Sequence, residues 1–130
     1  MIPKREGELK SAFSEELRHR LPQFVTLLFN SAGAPDRAIF GNGRTTTWEF
    51  KHATPDFDSP GLQELMCMRL DVASYCRYVL WREDETEQRT MVVRPRMIHQ
   101  RTQSKILSEA WCVGFDHEWL VNHIKMVHGL

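Results

Sequence analysis

Helical and strand signals alternate along this chain, and together they predict an α/β fold: one small mixed β-sheet flanked by helices. Three observations carry that expectation. Leu9, Phe13 and Leu17 recur at helical spacing near the start. Gly41-Asn42-Gly43 separates "DRAIF" from "RTTTWEFK", two runs of strand-forming composition joined by the kind of Asn-Gly turn that closes an antiparallel hairpin. A Ser59-Pro60 helix start then leads into two further apolar runs and a last amphipathic segment.

Taken in order, "EGELKSAFSEELRHRL" reads as a first helix, with no Pro inside it and Pro22 directly after it. "QFVTLLF" reads as a strand, and "NSAGAP" as a loop by its Asn, Ser, Gly and Pro content. The hairpin follows. After "HATPDFDSPG" a second helix should run to about Ser74 and bury Leu62, Leu65 or Met66, and Leu70. "YCRYVLW" and "TMVV" are strands joined by an acidic turn, and residues 98–109 form a helix or irregular segment. "DHEWLVNHIKMVH" is a final helix capped by Asp116. No repeat or low-complexity linker divides the chain. The expectation is therefore a single domain over 1–130, with a core over about 8–94 and a C-terminal helical extension over about 95–130.

Composition narrows the class. A chain of 130 residues with 42% hydrophobic and 26% charged residues has the balance of a globular domain. No apolar run approaches the roughly 20 residues of a membrane span, and "MIPKREGELK" lacks the apolar core of a signal peptide, so a soluble cytoplasmic protein with no membrane partner is expected. Cys67, Cys76 and Cys112 are odd in number and form no CxxC pair, which suits small core residues rather than disulfides or a zinc cluster. The 17 basic and 17 acidic residues cancel. Their distribution is uneven: "WREDETEQ" holds four acids and one base, and then Arg89, Arg94, Arg96, Arg101 and Lys105 follow with no acid between them. Such a cluster can track phosphates, or simply form a solvated face balanced by the acidic turn.

The chemistry concentrates in the hairpin. Alternation puts Glu49 and Lys51 on one face of their strand and Trp48 and Phe50 on the other. The antiparallel turn then brings Asp36 to the same end as Glu49. Two carboxylates beside a lysine can hold a hard divalent cation, which polarises a phosphoryl oxygen and acidifies a water. Lys51 would position or help deprotonate that water, or neutralise charge developing on phosphorus. The same residues have ordinary uses: Asp36 in a turn after proline, and Glu49–Lys51 as a surface pair worth under ~1 kcal/mol.

These residues also match a known pattern. "PDRAIFGNGRTTTWEFK" resembles the PD-(D/E)XK nuclease signature in Pro35-Asp36, the hairpin, and Glu49-Phe50-Lys51. More narrowly, Gly33-Ala34-Pro35-Asp36, the ExK strand and Ser59-Pro60-Gly61-Leu62-Gln63 resemble the standalone VRR-NUC group. The resemblance spans roughly residues 8 to 82. It implies a restriction-endonuclease-like mixed β-sheet flanked by helices, and a Mg²⁺- or Mn²⁺-dependent deoxyribonuclease. Asp36, Glu49 and the Phe50 carbonyl would ligate metal, Lys51 would serve the water, and Gln63 would steady lysine or water. Standalone relatives are often symmetric homodimers that cut branched DNA such as a Holliday junction, which suits a bacteriophage or prokaryotic origin.

Two assignments stay open at the level of sequence. The resemblance favours Glu8 as the first-helix acid, but Glu8 lies about 140° from Phe13 around the helix while Glu16 lies within about 60° of it. Glu16 is therefore the rival, and both also suit a solvated helix. Under a nuclease reading Arg94, Arg96, Arg101 and Lys105 become phosphate contacts that position DNA without reading its sequence. A non-catalytic DNA- or protein-binding module with the same fold is the competing reading. Asp56 and Asp58 suit a turn, and His117, His123 and His128 are expected at the surface or facing a partner.

Overall fold

The computed structural model of the protein describes residues 6–29, 33–53, 61–83, 88–99 and 106–130. The elements are α1 (Glu6–Arg20), β1 (Val25–Leu28), β2 (Arg37–Gly41), β3 (Arg44–Ala53), α2 (Gly61–Ala73), β4 (Cys76–Glu83), β5 (Gln88–Val93), α3 (Pro95–His99), β6 (Ala110–Val113) and α4 (His117–Val127). The six strands form one sheet in sequence order. Every neighbouring pair is antiparallel except β3 and β4, which run parallel and are joined through α2. The mixed α/β class expected from the sequence is the one observed.

Local chemistry explains the hairpin. Asn42 and Gly43 both adopt positive φ, 52° and 73°, the combination a two-residue turn needs if its twist is to match the strands. Register then follows, with Arg37 opposite Trp48 and Ile39 opposite Thr46. One step further places Asp36 opposite Glu49.

The sheet separates two apolar cores. On one face Phe13, Leu17 and Leu21 of the first helical segment pack with Trp48, Phe50, Val79, Trp81, and Leu120, Val121 and Ile124 of α4. On the other, Cys67 of α2 and Ile98 of α3 close over Cys76, Tyr78, Leu80, Met91 and Val93. Strand β3 is thus covered on both sides, not one: Thr46 to Phe50 are all buried. This is why Glu49, at 2% exposure, is an interior carboxylate.

Three expectations change. Residues 95–130 are not a helical extension: β6 completes the sheet against β5, and α4 supplies core side chains and packs on α1. Strand β6 carries only four residues, all apolar, a run too short to mark a strand by itself. Helix α2 turns Leu62 and Leu65 outward, 60% and 51% exposed, and buries Glu64 and Cys67, while Leu70 packs on the core as expected and Met66 is half-buried. Polar bonds set that rotation, because Gln63 and Glu64 both find partners on the inner side. His128 is not at the surface: it is fully buried, with Nδ1 2.8 Å from the Gly41 carbonyl and Nε2 2.9 Å from the Thr46 hydroxyl. The expected cap of α4 is present, the Asp116 side chain accepting from the Trp119 amide at 3.0 Å. The Ser59-Pro60 start, the acidic turn at 84–87, Asp56 and Asp58 lie outside the described residues.

Candidate functional site

The site is built at the open end of the β2–β3 hairpin, under the first turn of α2. Asp36 enters from the residue before β2. Its Oδ2 accepts a 2.7 Å hydrogen bond from the Phe50 amide, which pins the carboxylate to the neighbouring strand. Its Oδ1 holds the Lys10 ammonium at 2.7 Å. Glu49 comes from the middle of β3, on the face covered by α2, where Gln63 donates from Nε2 to its Oε2. Register sets Asp36 opposite Glu49, near enough for each carboxyl to shift the other's ionisation. Both carboxylates thus stand at the same end of the hairpin.

Their electrostatics follow from that proximity. Burial and the adjacent Asp36 push the Glu49 pKa up to about 10, while Lys51 pulls weakly in the other direction. At Asp36 burial also acts to raise the pKa. The hydrogen bond with Glu49, the Lys10 ammonium and the Phe50 amide outweigh it, and the net shift is downward. With Asp36 held in its charged form by Lys10 and the Phe50 amide, Glu49 is the member of the pair that keeps a proton.

The remaining expected residues fall in different places. Lys51 is half-buried and, by alternation, shares Glu49's face. Gln63 touches the Glu49 carboxylate. Glu8 is half-buried in the first turn of α1, two residues from Lys10. Its rival Glu16 stands two turns on, beside Arg20 at 3.6 Å, and Arg20 reaches Glu118 of α4 at 2.9 Å. Glu16 thus belongs to the α1–α4 contact, away from Asp36. Among the expected phosphate contacts, Arg96 is exposed on α3, and Arg94 is exposed with its Nε 3.4 Å from Glu109. Glu109 also pairs with Arg77, which bridges to Asp71, so Arg94 borders a structural ion network. Arg101 and Lys105 lie outside the described residues.

Two cations beside the carboxylates were not anticipated. Lys10 lies three residues before Phe13 and seven before Leu17, on the edge of the buried stripe of α1, so the helical-face argument applied to the acids would have found it. Arg37 follows Asp36 and points to the opposite side of the sheet. The residue is 3% exposed, and its guanidinium lies 5.6 Å and 5.2 Å from the Phe13 and Phe50 ring centres and donates to Ser14. Burial lowers its pKa, while Asp36 and Glu49 oppose that shift.

The donors suit a hard cation. Among the described residues no group of three or more His, Cys, Asp or Glu stands together. What is present is a pair of carboxyls, Glu49 buried and Asp36 half-buried, with the Phe50 carbonyl on the same strand as Glu49. A short set of oxygen ligands of this kind matches Mg²⁺ or Mn²⁺ sites that retain several waters. No protein-family model matches the chain, and a comparison with curated proteins returns no match.

Proposed function

We propose that the chain is a metal-dependent DNA endonuclease that hydrolyses a phosphodiester with water. One observation carries the reading: half-buried Asp36, at the start of β2, stands opposite buried Glu49 of β3, with Lys51 on the same strand face as Glu49. When bound, Mg²⁺ or Mn²⁺ supplies a Lewis acid for a phosphoryl oxygen and lowers the pKa of a coordinated water. The chain's own residues do the rest. The Phe50 amide and Gln63 fix the two carboxylates before substrate arrives. Lys51 orients the attacking water or meets charge growing on phosphorus. Arg96 and Arg94 offer charge to flanking phosphates.

Structure-selective cutting of branched DNA by a homodimer in the cytoplasm belongs to the same proposal. Edge strand β1 leaves Val25, Leu27 and Leu28 exposed at 56%, 49% and 70%, an apolar edge suited to a second copy. Among the described residues no helix is long and apolar enough to cross a membrane.

The decisive experiment incubates the purified protein with linear, flapped, nicked and four-way DNA in Mg²⁺, Mn²⁺ or chelator. Metal-dependent cleavage that disappears in Lys51→Ala and Glu49→Ala is the expected result, and wild-type cleavage by either folded variant sinks the assignment. A second reading draws on the Lys10–Asp36 pair: an internal cation has replaced the metal, leaving a non-catalytic binding module. Under that reading divalent metal does not raise the melting temperature, whereas a true site does so by mass action.

A further inference from the structure

Asp36 has two oxygens with partners of different kinds. The partner of Oδ2 is a backbone amide of β3, at 2.7 Å, which cannot leave without breaking the strand. The partner of Oδ1 is Lys10, also at 2.7 Å, an ammonium on a flexible four-carbon stem. Only Oδ1 can therefore exchange its partner. The pair is also within reach of solvent, with side chains 29% and 19% exposed. Arg37 offers a contrast, because two aromatic rings and Ser14 lock its guanidinium in place.

We propose that Lys10 is a displaceable counter-ion that holds the cation-facing oxygen of Asp36 in the resting protein and yields it when a divalent cation binds. This rests on the metal-site reading above and adds a regulatory residue to it. Lys10 keeps Asp36 charged and oriented without metal, and sets a threshold concentration below which the site stays closed. Once released, its ammonium remains tethered within a side-chain length of Asp36, where an incoming phosphate would meet it.

Two measurements on the full chain test the proposal without reading activity. In calorimetric titration with Mn²⁺, Lys10→Met should bind about five- to tenfold more tightly than wild type, since a partly exposed ion pair no longer has to be given up. In amine acylation read by mass spectrometry, Lys10 of the wild type should label several-fold faster once Mn²⁺ is added. In Asp36→Asn, Lys10 should label fast with or without metal. Equal or weaker binding by a folded Lys10→Met, or Lys10 labelling indifferent to bound Mn²⁺, overturns the displacement and leaves the metal site standing. No Mn²⁺ binding by either wild type or Lys10→Met overturns both.

Discussion

Replacing Glu49 by Gln should stabilise the metal-free protein, and by more as pH rises. The Glu49 pKa stands at about 10 against an ordinary 4.5, because the group is buried against Asp36. Between those values the folded chain keeps a proton that the unfolded chain has released. Stability contributed by this group is complete below about pH 4.5, declines through the window, and levels off above about pH 10. The slope is about 1.4 kcal/mol per pH unit, giving a ceiling of about 4 kcal/mol between pH 5 and 8. Coupling of its titration to Asp36 brings the expectation to about 2–4 kcal/mol. Asp36 itself, shifted below its ordinary 3.8, contributes slope only at more acid pH. The carboxamide introduced by Glu49→Gln would be neutral at every pH, still accepting from Gln63 and able to donate to Asp36. Urea unfolding in chelator, followed by tryptophan fluorescence at pH 5, 6, 7 and 8, gives the stability gap between the two proteins. Histidine titrations cancel in that gap. A gap constant within about 0.5 kcal/mol across the series, or a Glu49→Gln protein less stable than wild type at pH 8, would refute the reasoning.

Three further outcomes are expected. His128→Ala should cost about 2–4 kcal/mol in denaturant unfolding, since it leaves a cavity beside Phe24 and strips partners from Gly41 and Thr46. Gly41→Ala should lower stability by about 1–3 kcal/mol, because the new methyl would stand 2.6 Å from the Phe24 ring. Neutralising Arg94 and Arg96 should weaken DNA binding at low salt and reduce the log–log salt slope by about one for each phosphate no longer neutralised, and an unchanged slope returns both to ordinary surface charge.

Legibility tracked how local the signal was. The hairpin could be read because Asn42-Gly43 encodes its own turn, and with it the convergence of Asp36 and Glu49. Helix α1 could be read from Phe13 and Leu17, both buried as their spacing requires. The orientation of α2 could not, because the first turn of its inner face is polar: Gln63 and Glu64 turn inward to Glu49 and His99 while Leu62 and Leu65 face solvent. Amphipathic pattern assumes that apolar side chains decide the rotation, and here hydrogen bonds to a carboxylate and an imidazole do. Strand β6 was equally hidden, since the four apolar residues Ala110 to Val113 are too short a run to declare a strand without the β5 partner they pair with.

By itself the sequence determined the mixed sheet, the Asp36–Glu49–Lys51 set and its place on a hairpin, because turn chemistry and two-residue alternation act over a few neighbours. Only the tertiary structure decided how those charges behave. Packing of α2 over β3 buries Glu49 and raises its pKa, and packing of α1 brings Lys10 onto Asp36. Burial and ion pairing depend on groups dozens of residues apart meeting in a dry space, and no local pattern records that meeting.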